Sequence, residues 1–175
     1  MALSQFSRTA LLMGQENILK LNNSSVAVFG VGGVGGFVCE ALARSGIGEI
    51  TLVDNDKVSV TNINRQIIAL TSTVGKNKVD VEEERLKDIN PNINLRIFDT
   101  FYTEKLNEQI FNIKPDFVID AIDSMKAKIQ LLKYCHENQI PVITSLGVGN
   151  RVDPTKLRIC DISELNNIKC NFPFD

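Results

Sequence analysis

The chain has 175 residues, of which 43% are hydrophobic and 23% are charged, and its formal net charge is −2. A chain of this length can bury the core of one globular domain, and the composition shows no bias towards disorder. The near-neutral charge provides no overall attraction to nucleic acid or to anionic lipid. No apolar run approaches the roughly 20 residues that cross a bilayer, so the composition excludes a membrane-spanning class.

The cysteines are scattered along the chain, at Cys39, Cys135, Cys160 and Cys170. They form no CxxC pair that would chelate zinc, and no secretory signal is recognisable. We therefore expect reduced thiols in a cytoplasmic protein that has no membrane partner.

Apolar periodicity predicts one domain, residues 1–175, in three parts. An N-terminal helix is predicted over residues 4–21, with an interruption at Gly14. A βα core follows over residues 25–146. The tail, residues 147–175, is atypical and has no clear period.

Within the core, strands alternate with helices. Strands are predicted at residues 26–29, 49–56, 93–98, 116–120 and 141–146, with one short candidate in the tail at 157–160. Helices are predicted from the glycine-rich stretch to Gly46, and over residues 75–89, 103–113 and 124–137. The second of these is expected to expose EEER, residues 82–85, and the last to place Met125, Ile129, Leu132 and Cys135 on one face. This alternation is typical of an α/β fold with a doubly wound, mostly parallel sheet.

The stretch FGVGGVGGFV, residues 29–38, contains glycines in a pattern that phosphate-binding loops use. Gly30, Gly32 and Gly35 fit G-x-G-x-x-G directly after a predicted strand and before a predicted helix. These glycines, with Gly33, permit a tight turn and a close approach of the backbone to a phosphate at the helix N-terminus. We expect a bound nucleotide; a tight turn without a ligand is the alternative.

Asp54 ends the second predicted strand, where a carboxylate can accept hydrogen bonds from ribose hydroxyls. This position serves NAD and ATP equally well. The glycines and Asp54 therefore leave a choice between an NAD-dependent oxidoreductase and an ATP-using enzyme.

Asn62, Arg65 and Lys78 follow the carboxyl end of the same strand, which is the ligand side of an open α/β sheet. Their amide, guanidinium and ammonium groups are the donors that a triphosphate needs. A dinucleotide is served mostly by the glycine loop itself. Each residue alone also fits an exposed surface position, but together they favour ATP.

Asp123 lies at the carboxyl end of the fourth predicted strand. A carboxylate at this edge could hold Mg²⁺, which prefers oxygen ligands and bridges phosphates. The residue also fits a helix N-cap, and its position alone does not choose between the two roles. We interpret Asp120 as a strand-end residue.

Several ordered motifs, GVGGVG, LVDNDKVSVTNINRQ, VGKNKVD, INP and DAIDS, resemble the ubiquitin-activating-type adenylating family with its Rossmann-like ATP-binding fold. The resemblance covers residues 6–162. ALARSGIGEITLVDNDKVSVTNINRQI, VIDAIDS, IPVIT and DPTKLRICDI are most similar to the family's branch of tRNA threonylcarbamoyladenosine dehydratases. The family's usual chain continues beyond residue 175, so we expect the C-terminal part to be shortened.

The resemblance implies ATP-dependent adenylation of a carboxylate, here the threonyl carboxylate of threonylcarbamoyladenosine in tRNA, with dehydration to a cyclic product and release of AMP and pyrophosphate. It assigns Mg²⁺ to Asp123 and adds Arg8, which reaches the site of a neighbouring subunit in a homodimer. The nucleotide-binding residues that it implies are Gly30, Gly32, Gly33, Gly35, Asp54, Asn62, Arg65 and Lys78. It also implies tRNA as a partner, together with a sulfur-transfer or relay protein.

Three alternatives stay open at this point. The nearest is an adenylyltransferase that activates the C-terminus of a small sulfur-carrier protein. From other classes come an NAD-dependent oxidoreductase and a non-catalytic nucleotide-binding module. One group of basic residues could face tRNA, but we interpret it as solvent-facing; its members are Arg151, Lys156 and Arg158, with Lys126, Lys128 and Lys133 elsewhere in the chain.

Overall fold

The computed structural model describes residues 4–147 and 153–164. Its centre is a sheet of five parallel strands in the order β3-β2-β1-β4-β5. The strands are β1 Ser25–Phe29, β2 Glu49–Val53, β3 Asn94–Phe98, β4 Phe117–Asp120 and β5 Val142–Thr144. All five predicted core strands are confirmed to within three residues at each end.

Helices cover both faces of the sheet. They are α1 Ser7–Met13, α2 Gln15–Asn22, α3 Gly35–Ser45, α4 Lys78–Ile89, α5 Asn107–Ile110 and α6 Met125–Glu137. Successive β1 side chains point to opposite faces of the sheet and belong to two hydrophobic clusters. Val28 packs in the cluster that contains α3 and α4 residues, and Phe29 packs in the cluster that contains α5 and α6 residues. The doubly wound α/β prediction is confirmed.

The direction of chain winding reverses at β1. From β1 the chain passes to β2 and β3 on one side, and β4 and β5 lie on the other. Ligands of open α/β sheets bind at the carboxyl ends of the strands beside such a reversal. The loops after β1, β2 and β4 are therefore the place to look for a site.

Two predicted elements are wrong. Residues 103–113 contain only a 3₁₀ turn, Glu104–Leu106, and the four-residue α5. Arg96 of β3 donates to the Ile110 carbonyl and to the Asn112 side chain, which ends the helix there. The predicted strand at 157–160 is absent, because this segment follows a 3₁₀ turn capped by Asp153 and pairs with no strand among the described residues.

The predicted apolar face of α6 is also wrong. The helix buries Ala127, Lys128, Leu131 and Cys135, whereas Met125 and Ile129 are 42% and 60% exposed. The helix is rotated because Lys128 reaches inward to Asp120, with an Nζ to Oδ2 distance of 2.7 Å. Lys128 is therefore neither solvent-facing nor part of a tRNA-facing surface.

Other expectations agree with the described residues. The N-terminal helix is interrupted at Gly14, which has a φ of +83°. Cys39, Cys135 and Cys160 are free thiols, and Cys170 lies outside the described residues. None of the helices in residues 4–147 and 153–164 is long and apolar enough to cross a membrane.

Candidate functional site

A cavity of about 840 Å³ opens at the carboxyl ends of β1, β2 and β4. It is the position that the reversal at β1 indicates. The structure brings seven of the predicted site residues to its wall: Gly30, Gly32, Gly33, Asp54, Arg65, Lys78 and Asp123.

The glycine loop forms one wall, and two of its glycines are required by packing. Gly30 has a φ of +90°, and a Cβ there would lie 2.6 Å from the Ala121 carbonyl oxygen of the β4 loop. A Cβ on Gly35 would overlap the Gly30 carbonyl oxygen. Gly35 therefore closes the turn from behind and does not line the cavity, while Gly32 and Gly33 present their backbone to it.

Asp54 is fixed beside this loop by two backbone donors. Its Oδ2 accepts from the Val31 N–H at 2.6 Å, and its Oδ1 accepts from the Asp56 N–H at 2.8 Å. Burial raises the pKa of Asp54 even though both hydrogen bonds oppose this shift. Each oxygen keeps a free lone pair, so the carboxylate can still accept from ribose hydroxyls.

Lys78 is a buried cation directed towards the cavity. Its Nζ lies 2.7 Å from Asp56 Oδ2; the lysine side chain is 6% exposed and the aspartate side chain 61%. Its backbone N–H also donates to the Asp56 carbonyl. Asp56, which the sequence did not single out, therefore holds the cation from the solvent side and leaves it other ammonium hydrogens for a ligand.

Arg65 is exposed and stands against the glycine loop. Its Nη1 donates to the Thr61 carbonyl and to Asn64 Oδ1, both at 2.9 Å, and its Cγ lies 3.7 Å from where a Cβ on Gly33 would be. These bonds orient the guanidinium and leave its remaining N–H groups free to bind an anion.

Asn62 is the one predicted phosphate ligand of this loop that the structure does not bring to the cavity. It is buried, and its Oδ1 accepts from the Ser59 N–H at 2.9 Å, which caps the 3₁₀ turn Val60–Asn62. Asn favours this position because its side chain mimics a backbone acceptor. Its contact with a phosphate is not supported by this geometry.

Asp123 is exposed at the cavity wall. The N-cap residue of α6 is Ser124, and no side chain caps the helix, so the structure does not support the N-cap alternative. Its carboxylate has no hydrogen-bond or ion-pair partner within residues 4–147 and 153–164. In the same ranges no group of three or more His, Cys, Asp or Glu side chains could hold a metal. A cation here would take its other oxygens from substrate and water.

Two further predicted residues lie apart from the cavity. Arg8 is exposed on α1 and does not line the cavity of its own chain. Asp120 is fully buried, and besides Lys128 it accepts from Thr144 Oγ1 and from the Ile122 N–H. Its interpretation as a strand-end residue agrees with these contacts.

Sequence reasoning missed two buried polar residues beside the site. Gln66 lines the cavity and is 7% exposed, directly after Arg65. Glu82, expected on an exposed face, is fully buried one turn after Lys78, and neither of its carboxylate oxygens has a hydrogen-bond partner in the described structure. Burial raises the pKa of Glu82 to about 8. No apolar periodicity marks either residue.

A model of the ThiF family matches residues 6–175. The chain belongs to the ThiF family. This ThiF family chain is 52% identical to the tRNA threonylcarbamoyladenosine dehydratase of Bacillus subtilis over 162 residues, which covers 93% of this chain and 64% of that protein. It is 45% identical to the Haemophilus influenzae protein of the same name, covering 91% of this chain and 61% of the relative. The resemblance inferred from the motifs is confirmed.

A solved structure with the same fold is the Escherichia coli tRNA N6-threonylcarbamoyladenosine dehydratase in complex with ATP. It is 41% identical, with a TM-score of 0.89, covering 94% of this chain and 70% of that one. The same enzyme in complex with AMP has a TM-score of 0.87 and is 42% identical, covering 92% of this chain and 68% of that one. The ThiF family chain thus spans about 60–64% of the length of the curated dehydratases from bacteria.

Proposed function

We propose that this chain uses ATP to adenylate the threonyl carboxylate of threonylcarbamoyladenosine in tRNA, leading to a cyclic product by dehydration. One observation carries the proposal: a glycine loop, a ribose-type carboxylate, two cations and the Asp123 carboxylate line one cavity at the carboxyl edge of the sheet. The dehydratases that share 42–52% of its residues support the choice of substrate. Because tRNA is the substrate, the chain would act in the cytoplasm.

ATP would lie along the loop with its ribose at Asp54. The N–H groups of the Gly32–Gly33 turn lie just before the N-terminus of α3, where the positive end of the helix dipole favours phosphate. Arg65 and Lys78 line the same cavity. They would bind the outer phosphates, which become the leaving group.

Asp123 fits a role in holding Mg²⁺ together with the phosphates. Its carboxylate lines the cavity without a partner in the described structure, and Mg²⁺ is commonly bound by one or two carboxylates plus substrate phosphates and water. When bound, the ion would neutralise charge on the phosphates.

The proposed chemistry has two steps. A carboxylate oxygen of the substrate attacks the α-phosphorus, the bond from that phosphorus to the bridging oxygen of the β-phosphate breaks, and pyrophosphate leaves with the electron pair. An atom of the same modified nucleoside then attacks the acyl carbon, and AMP leaves with the carboxylate oxygen. One proton is lost on ring closure, so water is removed in total. Arg65 and Lys78 would stabilise the charge that develops on the leaving group.

The experiment measures pyrophosphate release from Mg-ATP by the purified chain. We expect release with tRNA that carries threonylcarbamoyladenosine and none with the same tRNA lacking the modification. Release that instead requires a sulfur-carrier protein would favour the second candidate, which the 32% identity to molybdopterin-synthase and sulfur-carrier adenylyltransferases supports. Binding of ATP with no release under any condition would favour a non-catalytic module.

We further propose a homodimer in which Arg8 of each subunit completes the site of the other. Arg8 is exposed and does not reach the cavity of its own chain. Arg8→Ala and Lys78→Ala chains are each expected to be inactive. When the two variants are co-expressed, mixed dimers should form in which one site has both Lys78 and the Arg8 of the other subunit, so activity should be recovered. A lack of recovery would contradict the shared site.

A further inference from the structure

Gln66 is a buried amide that the fold itself does not use. Its backbone N–H donates to the Asn62 carbonyl at 2.9 Å, and its carbonyl accepts from the Ala69 N–H at 3.0 Å. Its side chain makes no hydrogen bond within the described residues, and Oε1 is buried without a partner. Oε1 can only accept, so a phosphate would not pair it; the donor Nε2 is not among the fully buried atoms without a partner, and it is the atom that a ligand in the cavity can reach.

The surroundings of this amide point to a ligand in the cavity. Gln66 is 7% exposed, and what remains accessible faces the cavity that it lines. Its Nε2 lies 3.8 Å from the position that a Cβ would take on Gly32. The absence of a side chain at Gly32 therefore leaves room for a ligand atom against the amide, at the turn where the backbone presents itself to phosphate.

The charges around this point explain why an amide would be useful there. The neighbouring acids Asp54, Asp56 and Asp123 offer only acceptors when ionised, and Lys78 already shares its ammonium with Asp56. The Gln66 amide adds N–H donors without adding another charge beside the Arg65 guanidinium. An apolar side chain of the same length would fill the space equally well but could not donate.

We infer that the Gln66 side-chain amide is a phosphate-binding donor of the nucleotide site, acting at the Gly32–Gly33 turn. The inference rests on the proposed binding of ATP in this cavity. It adds a neutral donor to the cations Arg65 and Lys78, which line the same cavity. Its contact is with a phosphate oxygen and not with the base or the ribose.

The test compares ATP, AMP and adenosine binding by calorimetry for wild type and Gln66→Met. Methionine keeps the length and volume of the side chain and removes its donors. Because hydrogen bonds to charged groups are the stronger ones, we expect ATP affinity to fall about 10- to 100-fold while adenosine affinity stays within about twofold. A parallel loss of AMP affinity would assign the contact to the α-phosphate, and a loss for ATP alone would assign it to an outer phosphate.

Gln66→Glu provides a readout that a purely structural role would not move. The glutamate has the same shape but repels phosphate when ionised and donates when protonated. Its ATP affinity, relative to wild type, should fall as pH rises from about 5 to 8. Gln109→Met, on the exposed side of α5, is the matched control and should bind all three ligands like wild type.

Two results would overturn the inference. One is wild-type ATP affinity in Gln66→Met, and the other is an equal loss for adenosine and ATP, which would indicate a damaged fold. Thermal unfolding of each variant shows whether the fold is intact. If the wild-type chain itself binds no ATP, the proposed function fails as well, so that failure is distinguishable from a failure of Gln66 alone.

Discussion

Lys78 and Lys128 are two buried lysines on helices that follow the carboxyl edge of the sheet, and they differ in how their ammonium groups are used. Lys128 Nζ donates to Asp120 Oδ2 at 2.7 Å and to Thr144 Oγ1 and the Ser145 carbonyl at 3.1 Å. Within residues 4–147 and 153–164, Lys78 Nζ has only Asp56 as a partner, and the aspartate side chain is 61% exposed. Since the two residues are similarly little exposed, 2% for Lys128 and 5% for Lys78, the hydrogen bonding decides which lysine is available to a ligand.

The largest effect should come from breaking the buried ion pair between Lys128 and Asp120. Lys128→Met leaves the Asp120 carboxylate buried and unpaired, and removing one partner of a buried ion pair costs about 3–5 kcal/mol of unfolding free energy. Unfolding in urea measures this loss of unfolding free energy. The double variant Asp120→Asn/Lys128→Met should recover part of the loss, because it removes the buried charge. A single-variant loss below about 1 kcal/mol would show that the pair is not structural.

The next effect concerns Glu82, a buried acid whose carboxylate has no hydrogen-bond partner in the described part of the chain. Its folded-state pKa of about 8 lies above its unfolded value, so the folded chain binds more protons between about pH 4.5 and 8. Unfolding free energy should therefore fall as pH rises through this window, by at most about 1.4 kcal/mol per pH unit. Glu82→Gln should lose this dependence. Parallel pH profiles of wild type and variant would contradict the prediction.

A smaller effect is expected at Lys78, whose ammonium group is available to a ligand. Lys78→Met should leave the unfolding free energy nearly unchanged, because Asp56 is exposed and stays solvated. Its ATP affinity should fall about 10- to 100-fold, as expected for a lost charge-assisted hydrogen bond, while adenosine affinity stays constant. Lys76→Met, at an exposed lysine two residues before α4, is the control for calorimetry. Equal ATP affinity of Lys78→Met and Lys76→Met would contradict the assignment of Lys78 as a phosphate ligand.

The smallest effect should come from an exposed pair on the same helix as Lys128. Lys133 Nζ lies 3.8 Å from Glu137 Oε1, with side chains 72% and 58% exposed. Water and salt screen such pairs, so Lys133→Met should change the unfolding free energy by less than about 0.5 kcal/mol. A change near that of Lys128→Met would mean that pairing partners do not distinguish these lysines.

Sequence patterns predicted the parts of this molecule that repeat a local rule. Strands and most helices follow from apolar periodicity, and the places of Asp54, Arg65, Lys78 and Asp123 follow from their positions after strands. The fold class and the ligand edge of the sheet therefore follow from these local rules, whereas the family follows from the resemblance of the motifs.

Other features depend on contacts that no local pattern encodes. Lys128 is buried because its Nζ meets residues of β4 and the end of β5, which are distant in sequence. Glu82 lies in a charged run that is typical of an exposed face, yet α3 covers it at Gly36. Asn62 was assigned to phosphate by its position, but a hydrogen bond to its own loop uses its side chain.

In the proposed function the cavity binds Mg-ATP through Lys78 and Asp123. Thermal unfolding of the wild type, Lys78→Met and Asp123→Asn with Mg-ATP or NAD tests this binding, since a ligand that binds only the folded chain must stabilise it. We predict stabilisation of the wild type by Mg-ATP, reduced in both variants, and none by NAD. Stabilisation by NAD alone, equal in all three chains, would contradict the account.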